Sequence, residues 1–162
     1  IPVLTLVDVP GFLPGSAQEY AGIITHGAKL MFAYGEATIP KVTVTLRKSY
    51  GGAHDVMSSK QLRGDFNYAW PTAEIAVMGP AGAIKIVNKH ELSKAENKAE
   101  FEKQLIDKYK NEVANPYKAE EFALIDEVIV PSKTRDILIN AFEILSNKQY
   151  QKPARKHGSI PL

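Results

Sequence analysis

The sequence predicts an α/β fold, and three observations carry that prediction. Short apolar, β-branched segments alternate with longer stretches of helical periodicity. Glycine- and proline-bearing turns separate them. A strand running into a glycine turn and then a helix start occurs twice, at Gly51-Gly52 and at Gly79-Pro80.

The elements follow in order. Residues 3–7 form an apolar run suited to a buried strand. Asp8-Val9-Pro10-Gly11-Phe12-Leu13-Pro14-Gly15 stops it as a rigid loop, with Phe12 and Leu13 either held outward or tucked into the core. Ser16, with Glu19 three residues on, reads as a capping box for one helix over residues 17–37. Gly22, Gly27 and Gly35 within it imply close packing on a neighbour. His26 reads as a packed, satisfied histidine, since no second ligand or nucleophile pairs with it. Residues 40–46 alternate apolar and polar and predict a half-buried strand.

A helix starting at Ala53 follows, and a polar segment ends at Gly64. Trp70 reads as core, and Pro71 excludes a central strand position beside it. Residues 74–78 form a strand, and a short helix begins near Gly82. Residues 89–114 predict one long amphipathic helix with a solvated charged face. After Asn115-Pro116 comes a short helical piece, then a strand over 125–130 and a helix to Leu145 capped by Ser132 or Thr134. The basic tail from Gln149 reads as loose or docked on a neighbour.

Composition narrows the function classes. The 162 residues are 44% hydrophobic and 23% charged, which suits one soluble domain with a real core. A net charge of +2 gives no electrostatic support to nucleic-acid binding. No cysteine is present, which excludes disulfide and thiol chemistry and fits a reducing compartment. No apolar run reaches membrane-spanning length, so no membrane insertion is expected. The chain starts without methionine, directly in strand-like sequence, and is expected to be a piece of a longer protein.

The stretch with chemical promise is Arg47 to Ser59. A strand, two glycines and a helix start let bare backbone approach a ligand. The first turn of a helix leaves N–H groups open and favours negative charge. Gly52 and Ala53 are therefore candidate donors to an oxyanion, although a purely structural Gly-Gly turn fits the same spacing. Ser49, His54 and Asp55 do not make a triad, because neighbours on a helix point to different faces. There is no metal motif, phosphate loop, nucleophile elbow or dinucleotide fingerprint. Catalysis here would lean on backbone dipoles and on groups the substrate brings.

Several motifs then resemble a known family. They are the segment from Asp8 to Gly15 with Gln18-Glu19-Tyr20 and Gly22-Ile23-Ile24, then Tyr50-Gly51-Gly52-Ala53 with Asp55-Val56-Met57-Ser58-Ser59-Lys60. Ala69-Trp70-Pro71-Thr72-Ala73-Glu74-Ile75-Ala76-Val77-Met78-Gly79 and the ending from Arg155-Lys156-His157-Gly158 to Ile160-Pro161-Leu162 complete the set. Together they resemble the C-terminal half of the carboxyltransferase (beta) subunit of biotin-dependent acyl-CoA carboxylases, the propionyl-CoA carboxylase type above all.

The resemblance implies a crotonase-like (ClpP-like) fold of repeated β-β-α units, with residues 1–162 forming one domain of a two-domain subunit. It implies carboxyl transfer from carboxybiotin to the α carbon of a short acyl-CoA, propionyl-CoA favoured. Amides matching Gly52 and Ala53 would stabilise charge on the biotin ureido oxygen. Tyr50, Gly51, Asp55 and Phe12 would contact biotin or substrate, and Asp55 would influence acyl preference. His54 stands where the family pattern leads one to expect tyrosine.

Biotin on a carrier protein or domain, a biotin carboxylase subunit and a dimer-built hexamer are the implied partners. The implied location is the cytoplasm, or the mitochondrial matrix in a eukaryote. A methylmalonyl-CoA decarboxylase alpha subunit, running the transfer back onto biotin, fits the same residues. So does a non-catalytic biotin- or subunit-binding module if the piece acts alone. A free-standing crotonase-type hydratase or hydrolase is a further class.

Overall fold

Strand β2, Lys41–Tyr50, is the element on which the sheet is built. The computed structural model describes residues 1–151, 153, 158 and 159. The ending motif at Arg155, Lys156, His157 and from Ile160 to Leu162 lies outside the described residues. Along its length β2 pairs with β1 (Val3–Val9), β3 (Phe66–Ala69) and β4 (Glu74–Ala76). The two-residue strand β5 (Glu127–Val128) adds to the far side of β3, and every pairing is parallel.

A parallel strand between two neighbours needs cover on both faces. Lys41 to Thr45 of β2 are accordingly all buried, not half-buried as alternation predicts. One face carries Val42, Val44 and Tyr68, which pack with Ile129 and with Ala141 of α8 (Thr134–Ile144). Burying each valine contributes about 1.5–3 kcal/mol. The threonines face the other way. Thr5, paired in register with Thr43, exchanges a 3.0 Å hydrogen bond with Tyr34, and Thr43 Oγ1 donates to Ser58 O at 2.8 Å. Threonine fits there because its hydroxyl finds an acceptor and its branched Cβ suits the strand. Lys41 is the unexpected member of this layer. It is 1% exposed, and its ammonium donates to Tyr34 O at 2.6 Å and Leu62 O at 3.3 Å.

The first helical segment is two helices, α1 (Ser16–Tyr20) and α2 (Ile23–Glu36), not one. Gly22, in the left-handed region at φ 78, turns the chain between them. Gly15 occupies the cap position of α1 with no side-chain cap bond, so the expected Ser16 capping box does not form. His26 is exposed on α2, not packed. Gly27 is the close-packing glycine: a Cβ there would fall 2.6 Å from the Phe12 ring.

The amphipathic stretch also divides. The helices α5 (Lys89–Lys94) and α6 (Lys98–Glu112) are separate, because Asn97 caps α6 by accepting from Glu100 N at 3.3 Å. Before them, α4 (Pro80–Val87) starts at its proline, where a missing N–H costs nothing. With β3 and β4 it makes one β-β-α unit. The helix α7 (Pro116–Glu121) packs Ala119 on Ala69, Ala73 and Ile75, which anchors it to the sheet. Trp70 packs against the main core, and its Nε1 donates to Thr134 Oγ1 at 3.0 Å. Lys133, not Ser132 or Thr134, is the cap residue of α8.

Candidate active site

The site grows from the carboxyl end of β2. There the chain passes through Gly51 into α3, Gly51–Val56. Gly51 has φ +57, and a Cβ on it would lie 2.8 Å from the Val77 carbonyl oxygen. Only glycine meets both conditions. Tyr50 precedes α3 as its cap residue and provides no side-chain cap bond. The helix geometry therefore leaves the N–H groups of its first three residues, Gly51, Gly52 and Ala53, without carbonyl partners inside the helix.

A cavity of about 610 Å³ opens at this point. It lies at the carboxyl ends of β2 and β4, the place where open parallel sheets bind ligands. Gly51, Gly52, His54 and Asp55 form one wall, and Ile75, Ala76 and Val77 line the end of β4. Tyr109 of α6, Val113 just past its end, and Lys118 and Phe122 around α7 form the facing wall. A volume of this size with mostly apolar walls and a few polar groups suits a small organic ligand.

Two hydrogen-bonded groups sit beneath these walls. The Tyr50 hydroxyl donates to Glu74 Oε2, and Lys110 Nζ donates to Glu74 Oε1 at 3.0 Å. Burial pushes the Glu74 carboxyl upward, but the Tyr50 hydroxyl and the Lys110 ammonium outweigh it, and the group ends below its ordinary pKa. Burial, then the Glu74 charge, hold the Tyr50 phenol well above the usual tyrosine value. Separately, Ser49 Oγ and His54 Nδ1 are 2.9 Å apart. Ser49 is 0% exposed and unreachable as a nucleophile, and Asp55 does not join the pair. Among the described residues His54 Nε2 is buried without a hydrogen-bond partner, and burial lowers the imidazole pKa.

The structure thus brings Gly51, Gly52 and Asp55 to one cavity. Ala53 is 2% exposed, and the cavity reaches Gly52 and stops short of it. Tyr50 stands behind the wall, buried. Phe12 tucks inward, 3.6 Å from the Cβ position of Gly52, while Leu13 points to solvent at 61% exposure. Sequence reasoning missed Glu74, Lys110, Tyr109 and Phe122. Tyr109 carried a signal as an apolar position of the amphipathic stretch, but nothing local assigns a helix face to a distant cavity. Among the described residues no cluster of His, Asp and Glu could hold a metal ion, and no helix is long and apolar enough to cross a membrane.

The family described as carboxyl transferase domain matches residues 1–160. The propionyl-CoA carboxylase beta chain of Cereibacter sphaeroides is 60% identical over 100% of this chain and 31% of that protein. Methylmalonyl-CoA decarboxylase subunit alpha of Propionigenium modestum is 55% identical over the same 100% and 31% shares. Transcarboxylase 12S, solved as a hexamer with methylmalonyl-coenzyme A and methylmalonic acid bound, superposes with a TM-score of 0.92 at 47% identity. That superposition covers 100% of this chain and 31% of the transcarboxylase chain. The chain therefore spans about 31% of the length of these relatives, and the crotonase-like α/β class expected from the motifs agrees with the superposition.

Proposed function

The chain belongs to the carboxyl transferase domain family, and from that premise we propose that it supplies the biotin-facing part of a site that moves a carboxyl group between biotin and the α carbon of a short acyl-CoA, propionyl-CoA favoured. The observation that carries this reading is the meeting of Gly51 and Gly52 with the apolar cavity at the strand ends. A ureido ring needs an apolar slot and N–H donors aimed at its carbonyl oxygen, and these residues fit that need. When bound, biotin supplies the carrier nitrogen for the carboxyl group and the base for the acyl α-proton.

The chain's own residues provide the surroundings. The Gly52 N–H, with Ala53 behind it in the first turn, points partial positive charge toward an oxygen that becomes negative as the carboxyl leaves. A donor of this kind can lower a barrier by roughly 3 kcal/mol. Asp55, in the same wall, helps choose the acyl chain. Phe12 supports Gly52 from behind.

The rest of the machinery is part of the proposal. The chain acts as one domain of a two-domain subunit within a hexamer, served by a biotin carrier and a biotin carboxylase. It works in the cytoplasm, or in the mitochondrial matrix of a eukaryote. Net transfer onto the acyl-CoA is proposed as the working direction, with the chain 60% identical to a propionyl-CoA carboxylase beta chain.

The test is carboxyl transfer by the full-length assembled subunit across acetyl-, propionyl- and butyryl-CoA, with and without Gly52→Pro. Proline is tolerated in a helix's first turn and removes one N–H. Transfer should be fastest to propionyl-CoA and fall by about 10²–10³ in the variant, with acyl-CoA binding retained. Equal rates in the two proteins would sink the donor role.

A further inference from the structure

We propose that Glu74 is a positioning residue that ties the two facing walls of the cavity to each other, through Tyr50 on one side and Lys110 on the other. The inference rests on the function proposed above. Each carboxylate oxygen serves one wall: Oε2 accepts from the Tyr50 hydroxyl and Oε1 from Lys110 Nζ at 3.0 Å. Tyr50 is the residue immediately before the cavity-lining Gly51 and Gly52. Lys110 follows the cavity-lining Tyr109 and shortly precedes Glu112 and Val113, which also line it. Glu74 itself is fixed as the first residue of β4, in register with Lys48 of β2.

The wall formed by α6 needs such a tie. None of its residues is fully buried: Phe101, Leu105, Ile106 and Tyr109 are only half-buried, and its packing is chiefly against α4 rather than the sheet. Among the described residues two ion pairs connect it to the body: Lys85 of α4 with Glu102 at 3.5 Å, and Lys110 with Glu74. Only the second reaches the sheet. The side chains of Lys110 and Glu74 are 42% and 20% exposed, so this pair contributes little to overall stability. Its effect is on spacing. Tyr50 is 6% exposed, so loss of the Glu74 bond frees the hydroxyl end while the ring stays packed. Reactions that depend on aligned groups are sensitive to shifts of about an ångström.

The experiment uses the full-length assembled subunit, with methylmalonyl-CoA as carboxyl donor and free biotin as acceptor. Glu74→Gln and Lys110→Ala should each lower kcat roughly tenfold, with the KM for methylmalonyl-CoA and the thermal midpoint little changed. The double variant should fall no further than either single one, because both changes cut the same tie. Lys110→Arg should restore most of the rate. Wild-type rates in the single variants, or losses that multiply in the double variant, would overturn the role of Glu74. If Glu74→Gln does not fold, Lys110→Ala and its Arg counterpart still decide, since that side chain is half-exposed. Should the wild-type subunit move no carboxyl group between these two compounds, the functional reading fails and takes this inference with it. Transfer in the wild type with unaffected variants sinks the inference alone.

Discussion

The Phe12 ring crosses Gly27 so closely that a methyl group there would lie 2.6 Å from Cζ, and the same ring passes 3.6 Å from the Cβ position of Gly52. Gly27→Val should therefore destabilise the protein by about 1–3 kcal/mol through overpacking. Adding Phe12→Ala should recover part of the loss, by roughly 0.5 kcal/mol or more of coupling. Urea unfolding of the two single variants and the double one measures this, and strictly additive losses would show that the ring is not the obstacle.

The two glycines at the start of α3 should respond differently to alanine. Gly51→Ala meets both a positive φ of 57 and the Val77 carbonyl at 2.8 Å, and should cost about 1–3 kcal/mol. Gly52 has neither conflict, and its alanine variant should be as stable as the parent or gain up to about 1 kcal/mol from helix propensity. Denaturant midpoints for the pair give the answer, and equal losses would refute the distinction.

His54 should make stability depend on pH. Burial lowers its pKa, with Asp55 opposing more weakly. In the unfolded chain a histidine titrates near about 6.5. Between that value and the lower folded one, the unfolded chain binds more protons, so stability falls as pH drops through this window. Above the window this group contributes no slope. His54→Phe should flatten the change between neutral and mildly acid pH, as read by unfolding midpoints at each pH.

Asp126 joins distant parts of the chain. Its Oδ2 accepts from Asn67 N at 2.8 Å, and its Oδ1 pairs with Lys60. Asp126→Ala should cost about 1–3 kcal/mol, because a partly buried N–H loses its acceptor. Asp126→Asn keeps an acceptor and should lose less. An equal loss in the asparagine variant would show that the ion pair with Lys60 matters more than the acceptor for the Asn67 amide.

Asp55 should set acyl preference. Asp55→Ile enlarges the apolar part of the cavity wall and should move preference among acetyl-, propionyl- and butyryl-CoA by roughly 10-fold or more, the scale of a few methylenes. Ratios of kcat/KM across the three substrates check this, and unchanged ratios would remove Asp55 from the pocket.

Much of the sheet was legible from the residues. β1 announced itself by its apolar run, and the turn into α3 by its glycine pair. What escaped was set by distant partners. Alternation in β2 suggests one wet face, yet Thr43 and Thr45 are buried, with α3 packed on β2 and Ser58 O taking the Thr43 hydroxyl. Lys41 reads as a surface residue until carbonyls at Tyr34 and Leu62 are seen around its ammonium. The break at Gly22 and the cap at Asn97 were visible as residues but not as events, since helical periodicity runs on through both. At the site, the glycine turn that brings Gly51 and Gly52 to the cavity followed from local chemistry, while Ala53 lies off the cavity. The wall opposite the glycines did not, because α6 and α7 reach it through tertiary contacts such as Lys110 with Glu74 and Ala119 with the sheet.

The two-residue strand β5 has a consequence for how the molecule assembles. Tyr68 finds its partner Glu127 only after β4 and all of α4 to α7 have been made. Until then the outer edge of β3 has its backbone groups unpaired, and during synthesis that edge is open to pairing with other chains. Parallel pairings of such separation close slowly. Amides along β3 should be the last of the sheet to gain protection in a refolding pulse, well after those shared by β1 and β2.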